Sequence, residues 1–388
     1  MLVNRKGGQS RCSPACCGRR EAAAGGAKRK KDQKGEKRRE HAAPAADRIP
    51  LPPLPSLQHL QQRSAQRESQ KKTKINAENP PSICLYTILN SSGVCAAAFS
   101  ETGENLAVGF RGSEVHVHAL NQRVGFKQLE QEHDEIPEEL LYDESTKTDL
   151  LQLSGHVGPV HSVNFSVDKR LLLSGSADET VRLWNLDMRR TLVVYRVDSP
   201  VWDAQFCSRG LYFAVATASK LVSLYSTERI HPLRLFRDAA EDVTCVDFHP
   251  NCNYVVGGSD DQNVRVWDVL NGECVMTLSG HRGIVHSVKV APDGRTVKMI
   301  AMQDCGSMPC RVPIVYSPDS SVVAVGTPEH AVTFFSIDTA TVAFNYAHET
   351  RANPEGFPLL SYSTKKTNLL DLHFARKNVI IGVGVYDQ

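Results

Sequence analysis

The chain has 388 residues, 41% of them hydrophobic, and a formal net charge of +2, enough apolar material for one large core or two small ones. No apolar run approaches the ~20 residues of a membrane-spanning helix. The N-terminus lacks the apolar core of a signal peptide, so a soluble intracellular protein is expected.

The near-neutral total hides a division. Residues 1–80 hold 19 Lys/Arg against 7 Asp/Glu, net +12, which leaves 26 against 36, net −10, for the remainder. The basic head is rich in Ala, Gln and Pro and poor in large apolar residues, so burial cannot offset its ordering entropy. It is expected to be a disordered basic tail. Within it, Lys28, Arg29, Lys30 and Lys31 form one basic cluster and Lys37, Arg38 and Arg39 a second. This is the pattern of a two-part nuclear import signal, and otherwise that of a solvated charged tail or of non-specific attraction to phosphates. No aromatic residues interleave with the charges, so base stacking and sequence-specific DNA binding are not expected.

From Pro80 the pattern becomes one of short strands. SICLYTIL, VCAAAF, NLAVGF and EVHVHAL read as four of them, and Ile83–Leu89 is the candidate to complete the last sheet of a closed ring, which removes exposed edges. Residues 129–149 carry nine acidic residues and read as a long acidic loop.

Strands opening at Val160, Val201, Val243 and Val285 follow at intervals of 41, 42 and 42 residues. A period in that range marks a propeller array. The copy over 151–186 is the fullest. It contains Gly155-His156, Ser174, the turn residue Asp178 and Trp184-Asn185, and later copies keep Asp261, Trp267-Asp268 and Gly280-His281. The third copy ends in Tyr225, and the fourth has Ala239 where histidine would stand. From Val285 to Arg311, the next equivalent start, is only 26 residues, so the fifth copy is about 16 short of the period and cannot hold four strands. A sixth copy resumes with VVAVGT and AVTFFSI. A loop over 338–367 then leads to NLLDLHF and NVIIGVGV, read as inner strands of a final blade.

These motifs, in register, resemble the WD-repeat proteins over most of 83–388. The fold class expected is therefore all-β: a WD-repeat β-propeller over 81–388, nominally of seven blades with a truncated fifth. By the same resemblance His156, Ser174, Asp178, Trp184, Asp261, Trp267 and His281 belong to structural hydrogen-bond networks. A hydrolytic reading of Ser174, His156 and Asp178 lacks the glycine-rich elbow and oxyanion hole that a nucleophile requires. Trp202 and Asp203, with His161 and His286 at matching register, are candidates for a partner-binding rim. The alternative for Trp202 is packing between blades.

Eleven cysteines are scattered without paired CxxC motifs, so reduced, buried thiols are expected and no metal is. No catalytic residues, cofactor or small-molecule substrate are expected.

Longer strings narrow the family. PSICLYTIL, the acidic insert, SPVWDAQF, DVTCVDFHPNCNYVVGGSDDQNVRVWDVLNGECV and the terminal STKKTNLLDLHFARKNVIIGVGVYDQ together resemble the family of the fifth TBP-associated factor of TFIID, over residues 80–388. The ending is closer to the TFIID member than to the SAGA-type paralogue. The resemblance implies a nuclear, non-enzymatic scaffold of RNA polymerase II preinitiation, packed against the histone-fold pair of subunits six and nine and contacting other TFIID subunits. The alternatives are a SAGA-type coactivator subunit or another WD adaptor, such as a ubiquitin-ligase substrate receptor. The family's LisH motif and helical N-terminal domain have no counterpart in 1–80.

Overall fold

The structure is a computed structural model and describes residues 81–89, 93–120, 126–129, 142–294, 297–302, 312–328, 330–336, 344–346, 360–375 and 379–386. The basic head, with its two Lys/Arg clusters, lies outside the described residues.

Every described element is a strand. β1 (Ser82–Ile88) belongs to the closing blade. β2 (Val94–Phe99), β3 (Asn105–Phe110) and β4 (Val115–Ala119) begin the first blade, β5 (Phe126–Leu129) and β6 (Tyr142–Thr148) form a separate two-stranded ribbon, and β7 (Leu150–Leu153) completes the first blade. The second blade is β8 (Val160–Phe165), β9 (Leu171–Ser176), β10 (Thr180–Asn185) and β11 (Arg190–Arg196). The third is β12 (Val201–Phe206), β13 (Tyr212–Thr217), β14 (Val222–Ser226) and β15 (Arg229–Phe236). The fourth is β16 (Val243–Phe248), β17 (Tyr254–Ser259), β18 (Val264–Asp268) and β19 (Cys274–Leu278). β20 (Ile284–Val290) and β21 (Val297–Met302) follow as a hairpin. β22 (Ile314–Tyr316), β23 (Val322–Thr327) and β24 (Ala331–Ser336) make the penultimate blade, whose outer strand is β26 (Leu360–Ser363). Between them in sequence, β25 (Phe344–Tyr346) returns to the hairpin, and β27 (Thr367–Ala375) and β28 (Val379–Tyr386) pair with β1.

The innermost strands β2, β8, β12, β16, β20, β22 and β27 pack one on the next in that order, and β27 packs back on β2, so the ring is closed. The all-β propeller follows from the apolar faces. β3, β13 and β23 are buried at every residue, and a sheet covered on both sides needs a neighbour on each. Blades pack tightly enough that a side chain is excluded where they touch. A Cβ on Gly175 would stand 2.6 Å from Val201 of the next blade, and one on Gly258 would stand 2.5 Å from Val285. Val160, Val201 and Val285, at the starts of β8, β12 and β20, seat in this way against Gly109, Gly175 and Gly258 of the preceding blade.

Three expectations are corrected. The nominal count of seven blades becomes six formed blades. Among the described residues the fifth position holds only the β20–β21 hairpin, extended by the three residues of β25 in parallel pairing at Ile300–Met302. The shortened repeat supplies two strands, and β25 is borrowed from beyond β24. The expected loop over 338–367 therefore provides β25 and β26. The acidic loop is likewise not all loop. β4 and β7 are hydrogen-bonded neighbours, so the insert leaves and returns at one edge, and its limbs meet as β5 and β6. Residues 130–141 lie outside the described residues. The expected closing strand is found: β1 joins the closing blade, parallel to β28, with Ser82 opposite Val379 and Ile88 opposite Val385.

The thiols also differ from expectation. Cys207 and Cys252 are joined by a disulfide, their Cα atoms 6.1 Å apart, because equivalent turns after β12 and β16 lie side by side. Among the described free cysteines only Cys245 is buried, while Cys84 is exposed and Cys95 and Cys274 are half-buried.

Candidate functional site

The second blade brings His156, Ser174, Asp178 and Trp184 together. Trp184 Nε1–H donates to Ser174 Oγ at 2.8 Å, and Ser174 Oγ lies 2.7 Å from His156 Nε2. His156 Nδ1 lies 2.9 Å from Asp178 Oδ2. The neutral tautomer with the proton on Nδ1 satisfies every partner, His156 donating to Asp178 and accepting from Ser174. Asp178 also accepts from Val157 N–H and from the Thr180 N–H and hydroxyl. Glu179, at a left-handed φ of 62°, turns the chain so that the carboxylate reaches both.

Burial would raise the Asp178 pKa, but the bonds from Thr180, Val157 and His156 outweigh it and hold the carboxyl down at about 2. Burial, aided by the Arg182 charge, lowers the His156 pKa against the pull of Asp178, which raises it. The distances would suit a nucleophile triad, but Ser174 is completely buried and its oxygen already accepts the indole N–H. No substrate carbonyl can reach it.

The other copies show how the network is edited. In the fourth blade Gly257 stands where Ser174 does, beneath the Trp267 ring, and Trp267 Nε1–H donates instead to Arg237 O at 2.9 Å. Ala239 replaces the histidine, and the Arg265 guanidinium pairs with Asp261 at 2.7 Å. Burial would raise the Asp261 pKa, but Arg265 and the Ala240 and Asn263 N–H groups hold it below the usual carboxylate range. The third blade dispenses with the polar set, with Val215 at the serine position and Tyr225 stacked on Phe213 at 5.4 Å. Replacing all partners by apolar groups leaves nothing unpaired. In the stunted sheet His281 is buried, and Met299 stands at the serine position.

Three of the four rim candidates are corrected. Asp203, His161 and His286 are all at least nine-tenths buried. Trp202 is half-buried, its ring 5.2 Å from that of His161, and its Nε1–H reaches Asp242 at 3.4 Å, so it spans between blades. The reason is a bulge. The pairing register shifts at the second residue of the inner strands, at Val160/Ser162, Val201/Asp203, Val243/Cys245 and Val285/Ser287, and a bulge re-aims side chains that strict alternation would place on the other face.

What the bulges build is a belt around the axis. An innermost strand has one backbone edge with no ladder partner, and its N–H groups need acceptors. β8, β12, β16 and β27 each supply them to the next inner strand. Ser162 Oγ accepts from Ala204 N–H at 3.0 Å, Asn164 Oδ1 from Phe206 N–H at 3.1 Å, and Asp203 Oδ2 from Val246 N–H at 3.1 Å. Asp247 Oδ2 accepts from Val290 N–H at 2.9 Å, and Asp371 Oδ2 accepts from Phe99 N–H at 3.0 Å, across the closure. Asn164 also donates to Gln205 at 2.7 Å, and the Lys289 ammonium pairs with Asp247 at 3.2 Å. Burial works to discharge Lys289, but the carboxylates of Asp247, Asp203 and Asp371 outweigh it and raise its pKa.

The belt surrounds a cavity of about 530 Å³ that runs from Cys245 and His286, near the strand starts, to Pro250 and Pro292, beyond their ends. Sequence reasoning missed the belt. Its signal was present in the polar residue just before the terminal apolar one at each period: Asn164, Gln205, Asp247 and Lys289. Among the described residues no three His, Cys, Asp or Glu side chains are grouped to hold a metal ion.

Acid should weaken the fold in two stages. A histidine with a lowered folded pKa leaves the unfolded chain the stronger proton binder, so stability is lost as pH falls below about 6.5. Asp178 contributes stability that is present above its ordinary 3.8 and is lost as pH falls toward about 2. Urea midpoints should therefore drop between about pH 7 and about pH 5, before the carboxylates titrate. A midpoint flat over that range would contradict burial of neutral imidazoles.

A family model for the WD domain, G-beta repeat, matches residues 147–185, 231–268 and 272–301. TFIID subunit 5 of Caenorhabditis elegans is 38% identical over 387 residues, 91% of this chain and 60% of that protein. The chain is a WD-repeat protein related to TFIID subunit 5. The Drosophila melanogaster TFIID subunit 5 is 36% identical over 40% of the chain and 23% of its own length. A Schizosaccharomyces pombe protein described as a subunit of the SAGA complex and the transcription factor TFIID complex is 29% identical over 39% of the chain and 22% of its own length. The chain thus spans less than two thirds of the length of each of these relatives, and its WD repeats lie in the ring described above.

Proposed function

We propose that this chain is a non-catalytic scaffold subunit of the general transcription factor TFIID. Its propeller serves as a protein–protein interaction platform in RNA polymerase II preinitiation and packs against the histone-fold pair of subunits six and nine. The observation that carries this reading is the similarity to the C. elegans subunit along 91% of the chain. The ring supports it physically, since polar groups such as Ser162, Asp203 and Asp247 are spent on holding blades together, which makes a rigid body suited to presenting outer surfaces. His156, Ser174, Asp178 and Trp184 in the second blade, Asp261 and Trp267 in the fourth and His281 in the stunted sheet are structural under this reading. Lys28–Lys31 and Lys37–Arg39 are the import signal that takes the chain to the nucleus.

Affinity purification of the tagged full chain from nuclear extract, followed by mass spectrometry, should recover the histone-fold subunits and TBP. Recovery of cullin-complex subunits in their place would overturn the proposal in favour of a ubiquitin-ligase receptor. Recovery of coactivator subunits without TBP would favour the SAGA-type alternative.

A further inference from the structure

The turns that close the first hairpin of successive blades repeat one geometry. A residue in the left-handed region ends each of them: Lys169 at a φ of 61°, Gly210 at 82°, Cys252 at 61° and Gly294 at 72°. In the stunted sheet Gly294 lies against His249, the first turn residue of the fourth blade, whose Nε2 is 2.9 Å from Gly294 O. In the fourth blade the same contact brings Cys252 onto Cys207, the first turn residue of the third. Glycine takes a positive φ without strain and cysteine does not, so the turn by itself gives no reason for a thiol there.

The two sulfurs have different surroundings. Cys207 is completely buried in the apolar cluster between the third and fourth blades, whereas Cys252 is half-buried at its margin. The hydroxyl of Ser208, an exposed residue, lies 3.2 Å from Cys252 Sγ, so that sulfur is the one beside solvent. The bond also sits where the ring is thinnest. Among the described residues the fourth blade has a four-stranded neighbour on one side and only the β20–β21 hairpin with β25 on the other. Val266 is therefore half-buried and Met276 exposed, whereas Leu183 and Leu224, which take the place of Val266 in the second and third blades, are buried.

We propose that Cys207–Cys252 is a reversible redox latch between the third and fourth blades, opened by a small thiol such as glutathione and closed by the corresponding disulfide. A glutathione thiolate attacks Cys252 Sγ, the Sγ–Sγ bond breaks, and Cys207 leaves with the electron pair and takes up a proton. A second thiolate then displaces Cys252 from the mixed disulfide, and Cys252 is protonated in turn. One disulfide of the protein is reduced to two thiols while two glutathione thiols are oxidised to one glutathione disulfide. Opening releases the fourth blade from the third, and the fourth blade loosens together with its hairpin neighbour. The latch does not depend on membership of TFIID.

The test begins with the full chain equilibrated in reduced or oxidised glutathione, acid-quenched, alkylated and mapped by mass spectrometry. A linked Cys207–Cys252 peptide is expected in the oxidised sample and two alkylated cysteines in the reduced one. Reduction should lower the urea midpoint by about 1 M, since the bond joins positions 45 residues apart. Amide exchange in β16 to β21 should quicken about tenfold while β8 to β11 keep their rates. Cys252→Gly suits the turn, so this variant should fold, unfold at or slightly above the midpoint of the reduced parent and show no response to glutathione. The latch is refuted by the absence of the linked peptide after oxidation, or by a bond that survives reduced glutathione in the folded chain. It is equally refuted by a midpoint or exchange pattern indifferent to redox state, or by a response that persists in Cys252→Gly.

Discussion

Replacing Asp203 by leucine should lower the unfolding free energy by about 3–5 kcal/mol, read as a fall in the urea midpoint at unchanged slope. The carboxylate is buried and joins three successive blades. Oδ1 accepts from Ala204 N–H at 2.8 Å and from Ser162 Oγ–H at 3.0 Å, and Oδ2 accepts from Val246 N–H at 3.1 Å. Leucine fills similar space but leaves the Val246 N–H facing the cavity wall without its acceptor and takes one acceptor from Ser162. Asp203→Asn keeps one oxygen and should cost only about 1–2 kcal/mol. A leucine variant within about 0.5 kcal/mol of the parent that loses partner binding would restore the reading of Asp203 as a rim residue.

The second large effect is expected at Trp184. Its side chain is buried in the apolar cluster between the first and second blades, with Leu172 and Leu153, and truncation to alanine should cost about 3–5 kcal/mol, the usual range for a buried tryptophan. Trp184→Phe separates the two contributions. Phenylalanine keeps most of the packing and loses only the indole N–H, while Ser174 retains His156 at 2.7 Å, so a loss of about 1–2 kcal/mol is expected. If the two variants were equally destabilised, the hydrogen bond rather than the apolar ring would be what seats this residue. The third blade already points the other way, since it holds together at the same position with Tyr225 stacked on Phe213 and no serine beneath.

Both sites show where the sequence was readable. Trp184, Ser174, His156 and Asp178 lie within one repeat, and their bonds run between strands that are neighbours in the chain. A repeated motif therefore identified the whole set before any packing was known. Asp203 also stood out in the sequence, but its role was assigned to a surface. Its partners are 41 and 43 residues away in other blades, and the bulge beside it reverses the face that simple alternation assigns. His286 was misplaced for the same reason.

By itself the sequence determined the all-β character, the period near 42 residues, the shortfall after Val285 and the turn chemistry at Asp178. Each of these depends on interactions within one hairpin or on apolar alternation along one strand. Only the tertiary structure decided that β25 is captured by the stunted sheet, that β1 lies parallel to β28, that Cys207 meets Cys252, and that the inner strands surround an acidic cavity edged by His286 and Lys289. These features arise when the ring closes, because closure brings together strand edges and side chains whose separation along the chain carries no local signal.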